Sequence, residues 1–300
     1  MKAYAFIAAE KPAARNINRS CALLSVSRAA YYHWTKHRPS ARTRADETLR
    51  QHIRRIHQAS RGTYGAPRVH QQLRQEGVRT ARKRIARVMA QDGLQGRQKR
   101  RTKRTTIPAA QASPLWTDLV ARDFAPANRP LNQVWAGDIT YIRTWEGWAY
   151  LATVIDLASR RVVGFSVADH MRASLVEDAL KMALQSRRPA PGLIFHSDRG
   201  SQYTSAAFRE LLARNQVRQS LSRPRQCWDN AVAESFFATL KTELIHRSAW
   251  PTRTAARHAV FEYIEVFYNR LRIHSALGYR SPALYEACTL QPHHHAAPAA

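Results

Sequence analysis

Three runs rich in aromatic and β-branched residues follow one another at Val134–Ile142, Ala149–Leu157 and Val162–Ala168. After them helical and strand-like spacing alternates to the end of the chain. Helical spacing covers Leu175–Gln185, an apolar run leads through Gly192–Asp198, helical spacing returns at Ala206–Asn215, and a short run near Val217–Leu221 precedes a helix over Asp229–His246. Consecutive strands followed by alternating helices and strands predict a mixed α/β sheet covered on both faces.

Acidic residues fall at awkward places in this pattern. Asp138 lies inside Asn132–Tyr141, a run that reads as a buried strand, where a bare carboxylate is expensive. Asp198 closes the second apolar run just before the Arg199-Gly200 turn signal, at a strand's carboxyl end, where α/β sheets commonly present ligand groups. Glu234 follows after 35 intervening residues, on a helix whose apolar stripe is Ala233, Phe237, Leu240 and Leu244. At about 100° per residue, Asn230, Glu234 and Lys241 line one edge of that stripe.

Taken singly these acids have ordinary readings: a hydrogen-bonded core acid, a turn former, a solvated helix residue. Together they suit divalent magnesium, which takes oxygen ligands and keeps part of its water. Paired metals can activate an attacking oxygen and stabilise a leaving one in phosphoryl transfer, with Lys241 gripping phosphate as a point charge. His196 either positions water or phosphate or packs in support of Asp198. Trp135 reads as core. Arg270, Arg272 and His274 either bind DNA or brace the last helix.

Charge is the second constraint. The chain has 48 Lys and Arg against 21 acids, a net of +27; residues 1–105 hold 26 against 5 and the remainder 22 against 16. Excess cation on this scale predicts a polyanionic partner, because neutralising phosphates releases condensed counterions. An anionic membrane surface is the competitor, but no long basic amphipathic helix supports it. No apolar run approaches the roughly 20 residues of a membrane span, and Met1–Glu10 is too briefly apolar for a signal peptide, so a cytoplasmic location is expected. Cys21, Cys227 and Cys288 are odd in number and far apart, which suits reduced packing residues rather than a disulfide frame or a zinc site.

In the basic part, Ile17, Cys21 and Leu24 make a short stripe, Ser27 is placed to cap a helix through Trp34, and the pair suits either a helix-turn-helix or a small bundle. Leu49, Ile53 and Ile56 mark another helix, Pro67 opens one carrying Val69 and Leu73, and Gly77 interrupts it. Thr80 is the expected cap of a helix with Ile85, Val88 and Met89 inside and Arg82, Lys83, Arg84 and Arg87 outside, ended by Gly93. That helix either lies against DNA or presents a solvated basic face. Six cations then fall within eight residues: Arg97, Lys99, Arg100, Arg101, Lys103 and Arg104. The expected organisation is a helical, helix-turn-helix DNA-binding region over 1–95, a basic linker over 96–125, a catalytic core over 126–288 and a disordered Pro/Ala/His tail over 289–300.

Four segments carry a resemblance to a known family: Trp135–Tyr141, His196–Tyr203, Asp229–Phe237 and Tyr268–Tyr279. With them the chain, from Cys21 to Glu286, resembles the second-frame product of the IS-three family of insertion-sequence transposases, within the integrase catalytic-core superfamily. The resemblance implies a ribonuclease-H-like core in which Asp138, Asp198 and Glu234 hold two Mg2+ ions, with Mn2+ substituting, and in which Lys241 contacts DNA. It implies metal-dependent cleavage to a 3′ hydroxyl and strand transfer without a covalent enzyme intermediate.

Expected partners are the element's terminal repeats, target DNA, further copies of the chain on that DNA, and an upstream-frame product joined by frameshifting, with the complex on the bacterial nucleoid. One departure is local: relatives often carry Gly where Arg225-Gln226 precedes Cys227-Trp228-Asp229-Asn230. A non-catalytic DNA-binding regulator and a simple two-metal nuclease are the competing readings.

Overall fold

A computed structural model describes residues 2–10, 16–36, 41–98, 118–223 and 230–290. Contacts divide the chain into two compact units, Met1–Arg55 and Ile56–Ala300.

The first unit begins with α1 (Lys2–Glu10), a helix that the sequence reading did not anticipate, followed by α2 (Ile17–Leu23) and α3 (Arg28–Thr35). Asn16 Oδ1 accepts from Asn18 N at 2.9 Å and Ser27 Oγ from Ala30 N at 3.0 Å, so each of the latter two has a side chain on a backbone N–H that lacks a helical partner. Ile7, Cys21 and Tyr31 form a small shared core with Tyr4 and Trp34 against it, whereas Leu24, expected in the stripe, is exposed. Cys288 is exposed too, so only Cys21 behaves as the packing cysteine expected; Cys227 lies outside the described residues. Helix α4 (Ala41–Ala59) buries Leu49, Ile53 and Ile56 as its spacing predicts.

Helices α5 (Ala66–Gln75) and α6 (Arg82–Gln91) belong to the second unit. Pro67 sits in the first turn of α5, and Val69 and Leu73 are fully buried. The cap of α6 is Ala81 rather than Thr80, and it makes no side-chain bond; the Thr80 hydroxyl is buried without a hydrogen-bond partner among the described residues. The division at Arg55 comes earlier than the compositional one near residue 95 because this segment is tied into the core. Tyr64 Oη accepts from Ile273 N at 2.8 Å, and Arg61 pairs with Glu262.

The sheet has five strands in the order β3-β2-β1-β4-β5. β1 (Val134–Thr144) and β2 (Gly147–Asp156) form an antiparallel hairpin closed by Trp145-Glu146, and β3 (Val162–Ala168) continues the meander. β4 (Ile194–Ser197) runs parallel to β1, and β5 (Arg218–Leu221) parallel to β4, so each needs a crossover: α7 (Ala173–Arg187) and α8 (Ala206–Arg214) supply them. This mixed sheet with flanking helices is the ribonuclease-H-like arrangement.

One face buries Trp135, Val154, Phe195, Leu175, Leu180, Phe208 and Leu212. Gly164 lets α7 approach β3 so closely that a Cβ there would stand 2.2 Å from Ala179 O, and Gly137 leaves room for the Phe195 ring, 2.4 Å from where its Cβ would be. The alternate pleat carries Ile142, Leu151 and Ile155, all fully buried. Against β1 and β2 lie α9 (Ala231–Glu243) and α10 (Arg253–Glu262), which passes into a π-helical turn over Tyr263–Tyr268; α11 (Pro282–Leu290) follows. Residues 289 and 290, expected in the tail, still belong to α11; 291–300 lie outside the described residues.

Candidate active site

The parallel register of β1 and β4 pairs Val134 with Ile194 and Ala136 with His196. β4 ends at Ser197, so Asp198 follows directly from the strand that runs beside the one carrying Asp138, such strands lying about 4.8 Å apart. Asp138 is mostly buried, and its Oδ1 accepts from Ile139 N at 2.8 Å. Burial pushes its carboxyl up from 3.8 to about 7; the Ile139 N–H opposes this, the negative charges of Asp198 and Glu234 add to it, and Lys241 offsets part. Asp198 is exposed just past β4, its Oδ1 accepting from Gly200 N at 2.9 Å in a tight turn.

Glu234 is exposed in the first turn of α9, and Ala233, Phe237 and Leu240 behind it are buried as the stripe predicts. The three acids are therefore brought near enough for the other two to be felt at Asp138. Their side chains do not converge further: among the described residues no group of three or more His, Cys, Asp or Glu could hold a metal ion as it stands.

Asn230, expected among the DNA contacts, is buried instead. Its Nδ2 donates to Gly137 O at 3.0 Å, which fastens the start of α9 to β1 one residue before Asp138. Its Oδ1 has no hydrogen-bond partner among the described residues. Lys241 is half-buried, with Nζ 5.0 Å from the centroid of the Tyr141 ring.

His196 is fully buried, with Nδ1 2.8 Å from Ser220 Oγ and Nε2 3.3 Å from Ser222 Oγ, an anchor between β4 and the end of β5. Trp135 is core, as expected. Tyr203 carries no role in the sequence reading, although it closes the His196–Tyr203 segment. It is fully buried in the core against Phe195 and Phe208, and burial first, then the charges of Asp138 and Asp198, hold its phenol well above the usual range, so it stays protonated.

A second group of charges lies at the far end of α9. Glu243 is buried and accepts from Arg272 Nε and Nη2, both at 2.8 Å, and from Tyr263 Oη at 2.9 Å. Arg68 approaches it at 3.9 Å. His274 is driven well below its ordinary pKa by burial and then by Arg272, Arg68 and Arg160, so it is neutral. Arg272 and His274 are thus braces, whereas Arg270 is exposed.

On α6, Arg82 and Lys83 are exposed and Arg84 and Arg87 partly so, opposite buried Ile85, Val88 and Met89. Arg100, Arg101, Lys103 and Arg104 lie outside the described residues.

The chain matches the family described as an integrase core domain over residues 128–227, a second integrase core domain family over 215–282, and an HTH-like domain over 44–102. The last of these spans α4 to α6, beyond the Ile17–Trp34 pair considered from sequence. A protein of insertion element IS600 from Shigella sonnei, known as an uncharacterized 31 kDa protein, is 41% identical over 265 residues, 88% of this chain and 96% of that one. Transposase InsF for insertion sequence IS3A from Escherichia coli K12 is 42% identical over 275 residues, 90% of this chain and 94% of its own length. Among solved structures, a chain of the simian T-cell lymphotropic virus intasome, in complex with PP2A regulatory subunit B56 gamma, matches with a TM-score of 0.45 and 16% identity, covering 82% of this chain and 79% of that one.

Proposed function

The chain belongs to the IS3 family of InsF-type insertion-sequence transposases, which carry an integrase core, and from that premise we propose that it cuts the element's 3′ ends and transfers them to a second phosphodiester. The observation that carries this reading is the coupling of Asp138, on β1, to the charges of Asp198 and Glu234, which come from two other elements. A part-buried carboxylate held near pH 7 by burial and like charge is a group that a bound cation would relieve.

Asp138, Asp198 and Glu234 offer only oxygen donors, the set that magnesium or manganese takes. When bound, a pair of such ions would supply activation of the attacking oxygen and stabilisation of the leaving one.

The remaining work falls to the chain itself. Asn230 fastens the start of α9, the helix that carries Glu234, to β1 one residue before Asp138. Lys241 grips the phosphate of the strand being cut. Arg82, Lys83, Arg84 and Arg87 on α6, with the Arg100, Arg101, Lys103 and Arg104 run, hold the flanking duplex through its backbone. Functionally we read 1–95 as the DNA-gripping region, 96–125 as the linker, 126–288 as the core and 289–300 as a tail. Copies of the chain assemble on the element's terminal repeats and the target, on the bacterial nucleoid, alone or as a frameshift fusion.

No described helix is long and apolar enough to cross a membrane. The test is to incubate the purified chain with element-end DNA and Mg2+ or Mn2+ and to resolve the products. Joined strands support the proposal; nicked ends without joined product would make the chain a nuclease.

A further inference from the structure

The tip of the β1–β2 hairpin leaves three large aromatic rings in solvent: Trp145 is 76% exposed, Tyr141 56% and Trp148 45%. Clustered apolar exposure of this kind marks a surface that something covers. The rings are not what secures the tip. Trp145 N donates to Trp250 O at 3.0 Å, Arg253 N donates to the Glu146 carboxylate at 2.8 Å, and Arg253 Nε donates to Trp148 O at 3.0 Å. Tyr141 and Trp148 meet edge to face with centroids 5.1 Å apart, so each orients the other. Beside them is a cavity of about 650 Å³ whose walls add Arg143, Lys241 and His246.

Rings interleaved with cations form the composition that binds single-stranded nucleic acid, ring face on base face with the backbone on the cations. A paired duplex offers base edges in its grooves and keeps its base faces stacked inside, so it cannot use such rings. The position also fits. Tyr141 lies three residues past Asp138 on β1, about 10 Å along the strand and on the opposite pleat. Lys241 joins the two places, since its Nζ stands over the Tyr141 ring and its charge is felt at Asp138.

We propose that this cleft stacks one or two unpaired nucleotides of the DNA end adjoining the phosphodiester to be cut, so that the chain works on a frayed end in preference to a fully paired one. The proposal rests on Asp138, Asp198 and Glu234 as the reacting centre.

Two DNAs test it with the full chain in metal-free buffer: a short blunt duplex, and the same duplex with its terminal nucleotides mismatched, each carrying 2-aminopurine at the last position. The frayed DNA should bind more tightly and its 2-aminopurine should be quenched. Trp145→Ala and Trp148→Ala should each reduce the preference by about fivefold or more, with blunt binding unchanged, and Trp148→Phe should retain it. Equal binding of the two DNAs by the parent chain would overturn the proposal. So would a preference that survives both alanine changes, or a loss that falls equally on blunt and frayed DNA. Because no chemistry is read, the outcome separates from the triad's: a chain that quenches the probe yet joins no strands keeps the cleft and refutes the reacting centre. A chain that joins strands with no preference for the frayed end does the reverse.

Discussion

Asp138 has a titration with a definite sign. Its carboxyl is raised from 3.8 to about 7 in the folded chain, so folding favours the protonated form. The stability that this group contributes is fully present below about pH 4 and is lost as pH rises through 7, by as much as ~4 kcal/mol at the full shift. Asp138→Asn keeps the shape and removes the titration. The metal-free variant should therefore melt higher than the parent at pH 8, with the gap closing towards pH 4. Thermal melts across that range check it; parallel curves for the two chains would refute the assignment. Adding magnesium at pH 8 should raise the melting temperature of the parent and have little effect on the variant.

Among the elements, legibility followed locality. The strands stand where alternating and β-branched residues put them, with β3 at Val162–Ala168 as expected, because a pleat repeats every two residues and needs no distant information. The stripe on α9 was readable for the same reason up to Leu240. It broke at the helix end: after Glu243 the backbone turns at Leu244 (φ −127°), so Leu244 is only partly buried and Ile245 is buried in its place.

Glu243 itself had no local signature, since Arg272, the partner that makes its burial tolerable, lies 29 residues on. The bond by which Asn230 anchors α9 had no local signature either, because the carbonyl it donates to lies 93 residues away. Removing one member of a buried pair strands the other charge. Glu243→Ala should cost about 3–5 kcal/mol in urea unfolding, and a loss below ~1 kcal/mol would mean that the pair is solvated. Gly164→Ala should cost about 1–3 kcal/mol by forcing α7 off β3, measured in the same way.

At the scale of the molecule, composition announced a polyanionic partner but not where the units divide. The +27 charge was visible by counting, whereas the contacts of Tyr64, Arg61 and Arg68 with the core depend on side chains roughly 200 residues apart in sequence. Nor could composition choose between helix pairs for the HTH-like region, since both lie in the cation-rich part of the chain. If the basic surface works through phosphate neutralisation, log affinity for DNA should fall linearly with log salt, losing roughly 10³-fold or more between 50 and 200 mM. Replacing Arg82, Lys83 and Arg87 with Ala should flatten that slope by about one unit per lost phosphate contact, read by anisotropy titration.

The most direct measurement is strand joining by purified Asp138→Asn, Asp198→Asn and Glu234→Gln chains, each beside the parent, with Mg2+ or Mn2+ present and DNA binding monitored in parallel. All three should bind DNA as the parent does and yield no joined product. Joined product from any one of them, at a rate near the parent's, would contradict the claim that these acids act as one site.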